Sequence, residues 1–150
     1  MSTRQGLLWQ LSRVFIVAVI FNYFWELGQS QLYVGMENLS EMWRHCLVPS
    51  LADGLLVLLI FAAGWWIFGK RDWFERPDVN GYVLMLAVGL AIGIGGEWIA
   101  VNVLRLWSYT PRMPLVPLLN IGLTPVVQMT LLPPVIFRVA AAWHNRALAD

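Results

Sequence analysis

Three acidic residues, Glu26, Asp53 and Glu97, stand inside otherwise apolar stretches of this chain, and they are where chemistry would begin. Charged side chains in such settings are rare, turn toward a protein interior and mark sites of function or of ion pairing. Asn22, Glu26, Gln29 and Tyr33 recur at i, i+4, i+7 and i+11, one stripe of a helix. Gly89, Gly93 and Glu97 share a second stripe that continues to Arg105, and Asn120, Thr124 and Gln128 form a third. A carboxyl kept protonated by an apolar surround is a competent general acid, and acids in unlike environments divide acid and base roles. The expected catalytic set is Glu26, Glu97 and Asp53. Asn22, Trp25, Gln29, Tyr33, Trp98, Arg105, Tyr109, Asn120 and Gln128 are the expected binding residues around it. Aromatic faces stabilise a cation through their quadrupole, including a carbocation formed by protonating an olefin or epoxide.

The elements that must position these residues are membrane spans. Of 150 residues 59% are hydrophobic and only 13% charged, against roughly 25% charged in a soluble domain. Crossing a bilayer takes about 20 mainly apolar residues. Four stretches meet that length: Val14 to Tyr33 (with an apolar lead-in from Leu7), Leu51 to Phe68, Tyr82 to Leu104 and Leu115 to Phe137. The expected fold is an all-α, polytopic four-helix bundle forming one domain. The first span does not read as a cleaved signal, because Asn22 and Glu26 interrupt it and no small-x-small site follows. Met36, Leu39, Met42, Trp43 and Cys46 alternate with Glu37, Glu41 and Arg44, a pattern that predicts a short amphipathic helix lying on the membrane surface in the first loop.

Seven basic residues (Arg4, Arg13, Lys70, Arg71, Arg76, Arg138, Arg146) fall on the side of the termini and second loop, and three (Arg44, Arg105, Arg112) on the other. The positive-inside rule then puts both termini in the cytoplasm and the three acids in the outer half of a bacterial inner membrane, around a pocket open to the periplasm. Trp9, Trp65, Trp66, Trp73, Trp107 and Trp143 lie near span ends, where an aromatic belt is expected.

Each feature has a plainer role available. Gly89-x-x-x-Gly93 suits close helix packing or a partner face. Ser50-x-x-Asp53 after Pro49 matches a capping box. Asn120, Thr124 and Gln128 can satisfy carbonyls freed by a kink at Pro125. Arg105, two turns beyond Glu97, can pair with it and hold the bundle together.

Other classes fall away. A net charge of +1 and the absence of a basic tract exclude a nucleic-acid footprint, and the single Cys46 has no disulfide partner in the chain. His45 and His144 lie on opposite sides, which excludes paired haem ligation, and His45-Cys46 alone is a thin metal site. With no dinucleotide, Walker, metalloprotease or serine-hydrolase motif, no cofactor and no metal are expected. The expected partners are membrane lipids, a hydrophobic small molecule, and a second copy of the chain or a larger membrane complex. The same acids also suit proton or ion coupling in a small transporter, and an accessory or assembly subunit is the third class.

Two runs carry a resemblance. Asn22-Tyr-Phe-Trp25-Glu26-Leu-Gly-Gln29-Ser-Gln-Leu32-Tyr33 fits N-x-x-W-E-x-x-Q-x-x-L-Y. Glu97-Trp98, Trp107-Ser-Tyr109, Met113-Pro114, Pro117, Gly122-Leu-Thr-Pro125 and Gln128 fit E-W…W-x-Y-x-x-x-M-P-x-x-P…G-L-x-P-x-x-Q. Together with His45-Cys46 and Asp53 these runs resemble a group of small four-span bacterial inner-membrane proteins, a likeness that implies the architecture and no activity. The Asn22, Trp25, Glu26 and Asp53 set also resembles the integral-membrane terpene cyclases of fungal meroterpenoid pathways. There the carboxyls are implicated in protonating the substrate, so the resemblance implies acid–base chemistry on an isoprenoid or other lipid.

Overall fold

The computed structural model describes residues 3–36 and 39–147. Four helices dominate it: α1 (Thr3–Gln29), α2 (Leu39–Phe68), α3 (Val79–Trp98) and α4 (Leu123–Ala147). Four helical segments are long and apolar enough to cross a bilayer: Gly6–Leu32, Met42–Phe68, Val79–Val103 and Leu123–Trp143, the first and third running on from α1 and α3 through the short turns that follow them. The chain is therefore a multi-pass, helical membrane protein. Glu37 lies outside the described residues, as do the side chains of Arg4, Leu39, Glu41, His144 and Arg146.

Lipid tails are as apolar as leucine, so contact between spans depends on close fit rather than on escape from water. α1 packs mainly on α2 and also on α4, α3 packs mainly on α4, and the seam between α2 and α3 is thin. The α3–α4 fit is the tightest. A Cβ on Gly89 would stand 2.1 Å from the Met129 carbonyl oxygen, and one on Gly93 3.2 Å from the Val126 Cα. The G-x-x-x-G pattern is thus used inside the chain, which corrects its reading as a partner face.

One end of the bundle, here the basic end, carries the start of α1, the end of α4 and the turn from Gly69 to Asp78. Gly69, at φ 69°, takes the left-handed conformation that ends α2, and its N–H bonds Trp65 O at 2.9 Å. The turn then folds inward. Trp73 lays its ring over Gly64, where a Cβ would meet it at 2.1 Å, and donates Nε1–H to Phe61 O at 3.2 Å. Trp73 is therefore core, not aromatic belt, and stacks with Phe74 and Phe137 at centroid distances of 6.3 and 5.5 Å. Arg13, one of the seven basic residues that set the topology, is also buried. Its Nη1–H donates to Ala140 O at 2.9 Å, and Nη2 lies 3.5 Å from a Glu75 carboxylate oxygen, which ties α1, α4 and the turn together.

The other end departs more from expectation. The first-loop segment is no separate surface helix, because α2 begins at Leu39 and continues through Pro49. Ser50 donates its hydroxyl to Cys46 O at 2.6 Å instead of capping, and Asp53 lies well within α2, so the capping box is overturned. The fourth span begins at Leu123 rather than Leu115, because a small hairpin takes the intervening residues. In it β1 (Leu115–Val116) pairs antiparallel with β2 (Ile121–Gly122), and the turn places Leu118 and Asn120 at positive φ. Pro125 consequently falls in the first turn of α4, where a helix needs no N–H from it, and it has no kink to explain. Pro133 and Pro134 are the prolines inside α4.

Replacing Gly89 by Ala is expected to force α3 from α4 and destabilise the detergent-solubilised protein by about 1–3 kcal/mol. Gly95, where an added Cβ meets nothing within 4 Å, is the control. Its change to Ala should be neutral or stabilising by up to about 1 kcal/mol in the same unfolding titration.

Candidate functional site

The polar stripe of α1 faces the bundle and is satisfied there. Asn22 is fully buried; its amide N–H bonds Ala18 O at 2.9 Å, and its carbonyl oxygen accepts from Gln128 Nε2 at 2.8 Å. The same Gln128 nitrogen donates to Asp53 Oδ2 at 2.9 Å, while Gln128 Oε1 accepts from Gln29 Nε2 at 3.0 Å. Gln29 also donates to Glu26 Oε1 at 2.9 Å and accepts from Trp25 Nε1 at 3.1 Å. A primary amide offers two donors and an acceptor oxygen at one position, which lets Gln128 of α4 bridge α1 and α2.

Glu97 of α3 completes the cluster from the opposite wall. It is 6% exposed, and its Oε1 accepts from the Tyr109 hydroxyl and, at 3.2 Å, from Trp107 Nε1. The Tyr109 oxygen in turn accepts the Gly122 N–H at 2.8 Å, joining Glu97 to the hairpin. Trp107 and Tyr109 both reach this acid because the segment carrying them is extended, and alternate residues of extended chain share a face. Glu97 Oε2 stays outside these bonds.

Tyr33 closes the cluster at the hairpin end. It leaves α1 through a 3₁₀ turn (Ser30–Leu32), pairs backbone to backbone with Tyr109, and packs on the Trp107 and Tyr109 rings at 6.2 and 5.8 Å. Burial pushes its phenol well above the ordinary range, and the charges of Glu97, Glu26, Tyr109 and Asp53 push it further. One phenol thus lies in the field of all three acids. Tyr109 is raised too, by burial and by its bond to Glu97, with the Gly122 N–H acting the other way.

The structure brings together Asn22, Trp25, Glu26, Gln29, Tyr33, Asp53, Glu97, Tyr109 and Gln128. It leaves three expected residues outside. Trp98 is 45% exposed on the far face of α3. Arg105 follows a π-helical turn (Ile99–Val103) that breaks the α3 stripe; it takes φ 52°, is exposed, and makes no ion pair with Glu97 among the described residues. Asn120 is exposed in the hairpin turn because α4 has not yet begun. Trp107 was assigned to the belt and instead holds Glu97. Its spacing from Tyr109 in a segment ending the third span was the available signal.

The stripes do not enclose an open chamber, since their own side chains fill the space between them. A cleft of about 460 Å³ lies above, lined by Gln31, Tyr33, Met36, Met42, Thr110, Pro111 and Arg112, and Tyr33 belongs to both cleft and cluster. Cys46 is buried and His45 exposed, and no three His, Cys, Asp or Glu side chains are grouped to hold a metal among the described residues. Neither family models, nor curated proteins, nor solved structures match the chain. The functional reading accordingly rests on these residues alone.

Gln128→Leu strands polar atoms on Asn22, Gln29 and Asp53, at about 1–3 kcal/mol for each buried group left unpaired. It should lower the unfolding midpoint in detergent far more than Thr130→Val, which loses only a bond to Val126 O one turn back. The raised phenols add a pH effect. The folded state keeps protons that the unfolded state loses, so stability should fall as pH rises above about 10, and Tyr33→Phe should flatten that fall in denaturation series from about pH 9 to about pH 11.

Proposed function

We propose that this protein is an inner-membrane acid–base enzyme for a lipophilic substrate such as an isoprenoid or other lipid, with both termini cytoplasmic and its carboxyl cluster facing the periplasm. The convergence of Glu26 and Asp53 on one hydrogen-bonded network, with Glu97 held on a second by Tyr109 and Trp107 and all three acids in the field of Tyr33, carries the reading. The basic-residue bias supports the orientation, even with Arg13 withdrawn into the core.

In this reading one carboxyl, protonated in its apolar surround, donates its proton to an olefin carbon of the substrate. The cation formed is held against the Trp107, Tyr33 and Tyr109 rings. A neighbouring carboxylate then removes a proton from an adjacent carbon, so that a double bond moves or a ring closes with no change of oxidation state. Glu97, with one oxygen engaged by Tyr109 and Trp107 and the other outside those bonds, is assigned the donor. Glu26 and Asp53, held through Gln29 and Gln128, are assigned the acceptor and its partner.

Transport has less support from the geometry. Below the cluster the described interior is closed by Val14, Val57, Ile60, Phe61, Phe74 and Phe137, apolar side chains that offer no path for a proton or ion.

Glu26→Gln and Glu97→Gln are each expected to leave an inserted, folded protein while abolishing a lipid product present in wild-type membranes. Mass spectra of lipid extracts from wild-type, deletion and variant strains provide the measurement. Identical profiles in wild type and deletion would sink the enzymatic reading. Proton flux into liposomes that vanishes in Glu97→Gln would replace it with transport.

A further inference from the structure

The basic end holds a polar feature that acid–base chemistry at the other end does not use. A cleft of about 500 Å³ opens there between the first turns of α1, the end of α2 and the turn after it, with walls that include Gly6, Trp9, Gln10, Arg13, Trp65 and Lys70. Gly69 shapes it, since its positive φ ends α2 and swings Lys70 across from α1. Arg71 and Asp72 complete the wall with offsetting charges and Glu75 offsets Arg13, which leaves Lys70 as the uncompensated positive charge of the cleft.

Arg13 is the unusual member. It is 0% exposed, and although Nη1 is engaged by Ala140 O, Nε and Nη2 have no hydrogen-bond partner. Glu75, 3.5 Å from Nη2, balances the charge. A guanidinium presents its N–H groups as a planar fork matched to carboxylate and phosphate oxygens. Gln10 and Lys70 make no side-chain hydrogen bond among the described residues, so two further donors are free at the same opening. Trp9 and Trp65 are 42% and 38% exposed at the rim, and Trp9 leans on Trp143 with centroids 6.1 Å apart. Indoles at a span end sit at headgroup depth. The opening is therefore positive, rich in unused donors, and level with the phosphates of the bilayer.

We propose that this cleft binds a negatively charged phosphate group, with Arg13, Gln10 and Lys70 as its donors. An anionic lipid headgroup and free phosphate share that chemistry.

Protein purified in neutral detergent provides the test, with phosphatidylglycerol, phosphatidylcholine and inorganic phosphate as separate probes. Native mass spectrometry reads lipid retention, and thermal unfolding reads stabilisation. Phosphatidylglycerol should be retained about tenfold more than phosphatidylcholine, and Lys70→Glu should remove that preference. Gly6→Leu fills the cleft without changing charge, and a Cβ at Gly6 meets nothing within 4 Å. It should keep the lipid-free unfolding midpoint and still lose the preference, which separates a seated headgroup from diffuse attraction. Gln10→Leu repeats the test at a second wall position. Stabilisation by inorganic phosphate that Gly6→Leu abolishes supports the same site with a soluble ligand. Equal retention of both lipids with no effect of phosphate, or retention unchanged in both Gly6→Leu and Gln10→Leu, overturns the proposal.

Discussion

Within hydrocarbon no water arrives to bond a stray amide or carboxyl, so every polar group in the spans must find its partner in the chain itself. The hairpin half of this bundle is organised around that constraint. Asn22 and Gln29 come from α1, Asp53 from α2 and Gln128 from α4, and none of these side chains could turn toward lipid without stranding the others. Hydrogen bonds between spans are worth only about 0.6–2 kcal/mol each, so the network adds less in bulk stability than in position. It fixes the depth and rotation of three helices, and with them the separation of the acids.

The two ends solve different problems. At the basic end a water-side turn is drawn inward by Trp73 and Phe74, and Arg13 links that turn to α1 and α4. At the hairpin end the turn is held by a polar atom, since Tyr109 accepts from the hairpin backbone and donates to Glu97. The acid most exposed to movement of the hairpin is thus the one whose environment the hairpin sets. Between the ends, the backbones of α3 and α4 come into close contact at Gly89 and Gly93.

Most of the cluster was legible because helical periodicity is robust where a helix is uninterrupted. Asn22, Glu26 and Gln29 lie on unbroken α1, and Gln128 well inside α4. The failures occur where regular helix stops or starts. Arg105 was placed by continuing α3 through a segment that widens to a π turn and reverses. Asn120 was placed by starting α4 eight residues early, since the hairpin strands Leu115–Val116 and Ile121–Gly122 are as apolar as a span and carry no Asn-Gly turn signal. The plainer reading of Asp53 as a cap fails for the same reason: Pro49 and Ser50 look like a helix start, although α2 runs straight through them. Burial of Arg13 and Trp73 depends on a tertiary partner in each case, Ala140 O and the space over Gly64, that no local pattern encodes.

The bonds of Gln128 reach across 75, 99 and 106 residues to Asp53, Gln29 and Asn22. Spans that enter a membrane one after another and associate afterwards cannot make such bonds until the fourth has arrived. Until then the amides and acids of the first two helices lack their common partner, and a bundle without α4 is electrostatically incomplete rather than merely smaller. Arrival of Gln128 is in that sense a checkpoint on biogenesis: one neutral amide, late in the chain, converts two polar helix faces from a liability in lipid into a closed interior.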